Sequence, residues 1–124
     1  MTITRLKLDA SHFRPAEVLE HKRNEWSHIT ITYNVSGDRS IVDQNIDAAM
    51  EDDEDLVKVD CVNTTLYTQI KIMADNDEEL EQEAEKKVRE KLRKIFVGNT
   101  DLGGSIVSVF CMVGNLRAFA YKFT

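Results

Sequence analysis

An apolar stripe over residues 76–96 constrains the fold more than any other feature of the sequence. Its members recur every three or four residues over about five turns, the spacing of one face of an α-helix. Acids fill the first half of the segment and bases the second, an order that complements the helix macrodipole. Asp75 and Asn76 offer an Asx cap, and Gly98 follows the segment as a stop signal. The pattern predicts an amphipathic helix whose stripe comprises Leu80, Ala84, Val88, Leu92 and Ile95.

Two segments in the first third of the chain alternate with the period of a β-strand. In residues 2–10, Thr4, Leu6 and Leu8 lie on one side and Arg5 and Lys7 on the other, which predicts a first strand. Residues 28–35 alternate more cleanly and end at a Ser-Gly-Asp turn, which predicts a second strand. Between them, residues 16–26 follow a proline and place Val18, Leu19 and Trp26 among charged residues. That arrangement predicts a short amphipathic helix.

Residues 56–74 change the parity of their apolar positions part way along. Val57 and Val59 are apolar at odd numbers, whereas Leu66 and Ile70 are apolar at even numbers. A shift of one residue exchanges the two faces of a strand, so either a β-bulge or a tight turn must occur near residues 63–65. We favour one long bulged strand, because the two threonines of this stretch do not adopt positive φ readily.

The C-terminal residues read as a β-hairpin, with arms at 105–113 and 116–124 joined by Gly114-Asn115. In the first arm, both the odd-numbered and the even-numbered positions are apolar. Both faces of this strand must therefore pack against other residues. One face carries Val107, Val109, Cys111 and Val113, and the other carries Ile106, Phe110 and Met112.

These elements predict one α+β domain over residues 1–124, because a chain of 124 residues has the size of a single domain. The expected architecture is a mainly antiparallel sheet of about four to six strands, packed against one long helix in the C-terminal half, with a short N-terminal helix. One helix covers one sheet face only. We therefore expect a homo-oligomer, with the helix at 16–26 as the alternative cover. The predicted oligomer interface comprises Ile106, Phe110, Met112, Phe119, Tyr121 and Phe123.

Residues 43–55 are strongly acidic and have only a weak apolar stripe, so we expect a solvated loop or a short frayed helix. The five consecutive acids at 51–55 lack the spacing and the glycine of a calcium-binding loop, and we expect them to be exposed and non-catalytic. The net charge of −6 and pI near 5.0 disfavour binding to nucleic acids or anionic membranes.

The sequence contains no motif specific to a reaction. His12, His21 and His28 stand in no metal-ligand spacing, and Cys61 and Cys111 lie within apolar runs typical of buried reduced thiols. Gly103-Gly104 precedes a strand rather than a helix, unlike a phosphate-binding loop. We therefore expect a protein that is not an enzyme, with no cofactor or metal. The start of the chain lacks a signal-peptide pattern and no apolar run is long enough to span a bilayer, so we expect a cytoplasmic or virion location.

The strand at 69–74 that leads directly into the Asp75-Asn76-Asp77-Glu78-Glu79-Leu80 helix start, together with the final Tyr121-Lys122-Phe123, resembles the tail-terminator proteins of long-tailed bacteriophages. This resemblance covers about half of the chain. It implies a ring, often a hexamer, that caps the tail tube and docks to the head connector without a cofactor.

The N-terminal Ile3-Thr4-Arg5-Leu6, followed by Ser11, Phe13 and Pro15, is similar to the start of SecB-like export chaperones. That resemblance implies an antiparallel four-stranded sheet before a helix and a chaperone function. A third class, suggested by charge, is an acidic inhibitor or anti-defence protein that presents residues 51–55 to a basic site.

Overall fold

A computed structural model describes residues 1–8, 25–59, 64–114 and 117–124, and the structural statements below concern this part of the chain. It contains six strands, two α-helices and one 3₁₀ turn. In chain order these are β1 (Ile3–Leu6), β2 (Glu25–Ser36), α1 (Ser40–Asp52), β3 (Val57–Lys58), β4 (Thr65–Ile72), α2 (Asp77–Phe96), the 3₁₀ turn Leu102–Gly104, β5 (Ile106–Val113) and β6 (Arg117–Phe123).

The six strands form one sheet in the order β1-β6-β5-β2-β4-β3, and every pair of neighbours is antiparallel. The two helices cover one face of this sheet. The predicted α+β class and the antiparallel sheet are confirmed.

Helix α2 buries the stripe that the sequence indicated. Leu80, Ala84 and Val88 are fully buried, and Leu92 and Ile95 are almost so. The Asn76 side chain accepts a hydrogen bond of 2.9 Å from the Glu79 N–H, and the Asp75 N–H donates one of 3.0 Å to the Glu79 carboxylate. The first bond satisfies a backbone donor of the first helical turn, and the second holds the residue before the N-cap against that turn, similar to a capping box.

Helix α1 corrects the expectation of a loop or a short frayed helix in the acidic segment. It is a regular helix of 13 residues, and Val42, Asn45 and Ile46 are buried. The Asn45 amide donates hydrogen bonds of 2.7 Å to the Phe96 carbonyl and 3.0 Å to the Thr100 hydroxyl. The helix is therefore tied to the C-terminal end of α2, a contact that no pattern within residues 43–55 indicates.

Residues 56–74 form two strands, and the preference for one bulged strand is wrong. β3 pairs antiparallel with β4, with Val57 opposite Tyr67, so the chain turns back between them. Residues 60–63, which include Cys61, lie outside the described part of the chain. In this pairing Val57 shares a face with Tyr67 rather than with the buried Leu66, which accounts for the change of parity.

The C-terminal hairpin is present, but its register differs from a two-residue turn. Val113 is opposite Arg117, so residues 114–116 separate the paired positions. The odd-numbered residues of β6 consequently lie on the same face as Val107 and Val109, under the helices. Phe119, Tyr121 and Phe123 are buried in the core of the single chain, which corrects their assignment to an oligomer interface.

At the N-terminus, β1 is shorter than predicted and pairs with β6 at the sheet edge. Arg5 points toward the helices and Leu6 toward the other face. Most of the helix predicted at residues 16–26 lies outside the described residues. Its last residue, Trp26, belongs to strand β2, so the predicted helix end is wrong.

Candidate interaction surface

The sheet face turned away from α1 and α2 is called the open face here. Strand alternation assigns to it the even-numbered residues of β1, β2, β5 and β6 and the odd-numbered residues of β3 and β4. Several large apolar side chains on this face remain exposed, from β1 at one edge of the sheet to β3 at the other. They are Leu6 (37% exposed), Trp26 (59%), Val57 (45%) and Met112 (47%), and Met73 (60%) follows directly after β4.

Half of the predicted interface residues lie on this open face. Ile106 and Phe110 are half-buried, and Met112 is exposed beside them. Leu6, Trp26 and Val57 were not predicted to belong to this surface. The sequence patterns assign Leu6 and Val57 only to the apolar sides of predicted strands and place Trp26 in a helix, so they do not predict that these residues share a surface.

A group of polar side chains lies across β2 and β4 on the open face. The His28 ring nitrogen Nδ1 and the Tyr67 hydroxyl are hydrogen-bonded, and the two rings stack with centroids 5.7 Å apart. The Gln69 amide donates a further hydrogen bond of 3.2 Å to the Tyr67 hydroxyl. These contacts hold the side chains of neighbouring strands in place and give this part of the face a defined shape.

The open face and the helix layer carry opposite charge. Lys71 and Lys122 occupy open-face positions of the described strands, and no Asp or Glu does so. Residues 40–56, by contrast, contain seven acids and neither lysine nor arginine. The chain's net charge of −6 is therefore distributed unevenly over its surface.

A cleft of about 710 Å³ separates the C-terminal half of α1 from the C-terminal half of α2. Its apolar lining is formed by Ala48, Ala49, Leu56 and Ile95. Its charged lining residues are Asp52, Asp53, Lys91, Arg93 and Lys94. Asn45 also lines the cleft and is engaged with the end of α2.

Asp53 and Lys91 form an ion pair on the wall of this cleft. Partial burial of the Asp53 carboxyl acts to raise its pKa, but the hydrogen bonds from Lys91 and the Asp55 N–H, with the charge of Lys91, outweigh burial and lower the pKa. Asp53 is therefore a charged structural link between the end of α1 and α2.

At the β1 edge of the sheet, Glu85 holds two arginines over the aromatic end of the core. Arg5 Nη1 lies 2.9 Å from one carboxylate oxygen of Glu85, and Arg89 Nη2 lies 3.6 Å from the other. The guanidinium groups lie 5.6 Å from the ring centre of Phe119 and 5.9 Å from that of Tyr121, respectively. This arrangement covers the aromatic row of β6.

The buried titratable groups are held in their neutral forms. Burial raises the pKa of the Cys111 thiol to about 12, and burial also raises the pKa of the Tyr121 hydroxyl. Cys111 is therefore protonated near neutral pH and is a poor nucleophile.

Within the described residues, no three His, Cys, Asp or Glu side chains are grouped closely enough to hold a metal ion. No helix in the same residues combines the length and apolar character needed to cross a membrane. Comparisons with protein-family models, curated proteins and solved structures find no match to this chain.

Proposed function

We propose that this chain is a non-enzymatic assembly protein that forms a homo-oligomer through the open face of its sheet. The single observation that carries the proposal is the exposure of Leu6, Trp26, Val57 and Met112 on one sheet face while the other face is covered by helices. Burying a large apolar side chain stabilises by about 1.5 to 3 kcal/mol, so a contact that covers several of them has a substantial driving force.

The specific form that we propose is a ring subunit similar to a bacteriophage tail terminator, acting at the head–tail junction of a virion. Its support is the sequence resemblance and the direct passage from β4 to α2, with residues 73–76 between them. Such a ring requires protein contacts and no cofactor. The SecB-like alternative implies consecutive strands before the first helix, whereas α1 lies here between β2 and β3, and we do not adopt it.

Sedimentation analysis of the purified chain at high micromolar concentration tests this proposal. We expect a discrete oligomer for the wild type and at least about a tenfold weaker association for Met112→Glu, since a carboxylate placed in the contact loses its hydration. Met112 is exposed in the single chain, so the substitution leaves the core intact.

The matched control is Gln82→Glu, which introduces the same charge at an exposed position of α2 and leaves association unchanged. A wild type that remains monomeric throughout contradicts the proposal. One-to-one binding to a single basic host protein by that monomer would support the acidic-inhibitor class instead.

A further inference from the structure

The open face carries two exposed methionines. Met112 lies on β5, and Met73 directly follows β4. We propose that a peroxide oxidises the thioethers of these two residues to sulfoxides and thereby weakens the contact that the open face makes with a second copy. This inference rests on the proposed function and adds a redox control to its contact surface.

Both methionines lie close to Trp26 on the open face. Trp26 is paired with Lys71 on β4, and Met73 follows Lys71 by two residues. Met112 is paired with Thr30, which lies four residues after Trp26 on the same face of β2. Four residues of a strand span about 13 Å, and one side of an ordinary protein contact covers about 800 Å². A contact that covers Trp26 is therefore large enough to include both methionines.

The reduced and oxidised forms of methionine differ in how well they suit an apolar contact. The flexible thioether of the reduced form adapts to irregular gaps in a facing surface. The sulfoxide oxygen makes the same side chain polar. Burying a polar group without a hydrogen-bond partner costs free energy, so oxidation opposes association. It leaves the fold of the single chain unchanged, because both side chains are already exposed there.

The oxidation step transfers one oxygen atom from the peroxide to sulfur. With hydrogen peroxide, a sulfur lone pair attacks one oxygen, the O–O bond breaks, and the other oxygen takes up the proton of the first and leaves as water. Sulfur loses two electrons and the peroxide gains two. The sulfoxide is returned to the thioether by reductases that oxidise thiols, so the change is reversible.

The other sulfur atoms of the described residues are less available to a peroxide or lie elsewhere. Cys111 is buried and its thiol is protonated at neutral pH, whereas peroxides react with the thiolate. Met50 is partly buried and packs against the core, and Met1 is exposed but precedes β1. Among the described residues, Met73 and Met112 are therefore the thioethers through which a peroxide acts directly on the open face.

Sedimentation of the purified chain before and after treatment with hydrogen peroxide tests this inference. The treatment continues until mass spectrometry finds one added oxygen on each of Met73 and Met112. We expect at least about tenfold weaker association after treatment, with an unchanged circular dichroism spectrum. Methionine sulfoxide reductases supplied with a dithiol should restore the original association.

Partial oxidation of the wild type separates the effects of the individual methionines within one sample. After gel filtration, we expect the sulfoxides of Met73 and Met112 to be enriched in the monomer fraction. The sulfoxide of Met1, which precedes the strands of the sheet, should be distributed equally between monomer and oligomer. Met50→Leu should show the same enrichment as the wild type, because Met50 lies in α1 on the other side of the sheet.

Met73→Leu combined with Met112→Leu removes both sulfur atoms and keeps apolar side chains of similar volume. Each protein is compared with itself, and the peroxide should leave the association of this double variant as it was before treatment. An equal loss of association in the double variant and the wild type overturns the inference. A wild type that associates as well with both sulfoxides as without them also overturns it, and both results leave the assembly proposal standing. An untreated wild type that remains monomeric overturns the inference and the proposed function together.

Discussion

Asp53 differs from the other acids at 51–55 because its environment gives it a defined partner. Its carboxylate pairs with Lys91 and accepts a hydrogen bond of 3.0 Å from the Asp55 N–H, whereas Glu51, Asp52, Glu54 and Asp55 are exposed. The expectation that the segment 51–55 is exposed therefore holds for four residues and is wrong for Asp53, which is half-buried. The ion pair with Lys91 makes Asp53 a structural residue, whereas the neighbouring acids are solvated.

The lowered pKa of Asp53 predicts a pH-dependent contribution to stability. A carboxyl whose pKa is lower in the folded state than its ordinary value of 3.8 stabilises the fold above that value, and the contribution is lost as pH falls through the folded-state pKa. Asp53→Asn should therefore lower the melting temperature at pH 7, and the difference from wild type should shrink toward zero in strong acid. Thermal unfolding of both proteins between pH 7 and pH 2 measures this, with Glu54→Gln as the exposed control. An equal difference at every pH would contradict the assigned role.

In the hairpin β5–β6, the number of residues in the turn decides which side chains of β6 lie under the helices and which lie on the open face. With Val113 opposite Arg117, the aromatic row of β6 faces the helices, and Phe123 lies 6.3 Å from Phe96 between ring centres. A turn one residue shorter would place the same row on the open face. The core and the open face are therefore defined by this register as well as by the composition of the strands.

The buried stripe of helix α2 predicts what a charge placed within it would do. Val88 is fully buried in the middle of its stripe, so Val88→Asp places a carboxylate among apolar side chains at a cost of several kcal/mol. Because domains of this kind are stable by about 5 to 15 kcal/mol, we expect the variant to be largely unfolded by circular dichroism. Gln82→Asp, at an exposed position of the same helix, should retain wild-type melting. Wild-type melting of Val88→Asp would refute the packing of this stripe.

Charge is distributed unevenly between the two sides of the described molecule. Most of the described acids belong to the helix layer and its turns, while the open face carries lysines and exposed apolar side chains. Such a chain presents chemically different surfaces on its two sides. Head-to-tail contacts between identical chains join two different surfaces of this kind.

Neutralising the exposed acids tests whether this charge serves folding. We expect the combined variant Glu51→Gln, Asp52→Asn, Glu54→Gln and Asp55→Asn to melt at or slightly above the wild-type temperature, because adjacent like charges repel one another. Micromolar calcium should change the melting temperature of neither protein. A calcium-dependent rise in wild type that is absent in the variant would instead identify a cation site at these residues.

The features that depend on a local period could be predicted from the order of the residues alone. Side chains return to the same face every 3.6 residues in a helix and every two residues in a strand. The order of the residues therefore predicts the apolar stripe of α2, the alternation of β2 and the apolar residues on both faces of β5. The α+β class and the candidate surface at Ile106, Phe110 and Met112 follow from those patterns.

The features that depend on contacts between distant segments are seen only in the folded chain. Helix α1 has only a weak apolar stripe of its own. It is held in place by the hydrogen bond from the Asn45 side chain to the Phe96 carbonyl at the end of α2, 51 residues away. The pairing of β3 with β4 and the register of β6 each depend on where a turn closes, and a change of one residue there exchanges the two faces of a strand. The exposed position of Val57 results from the first of these closures, and that of Trp26 from the extension of β2 back to Glu25.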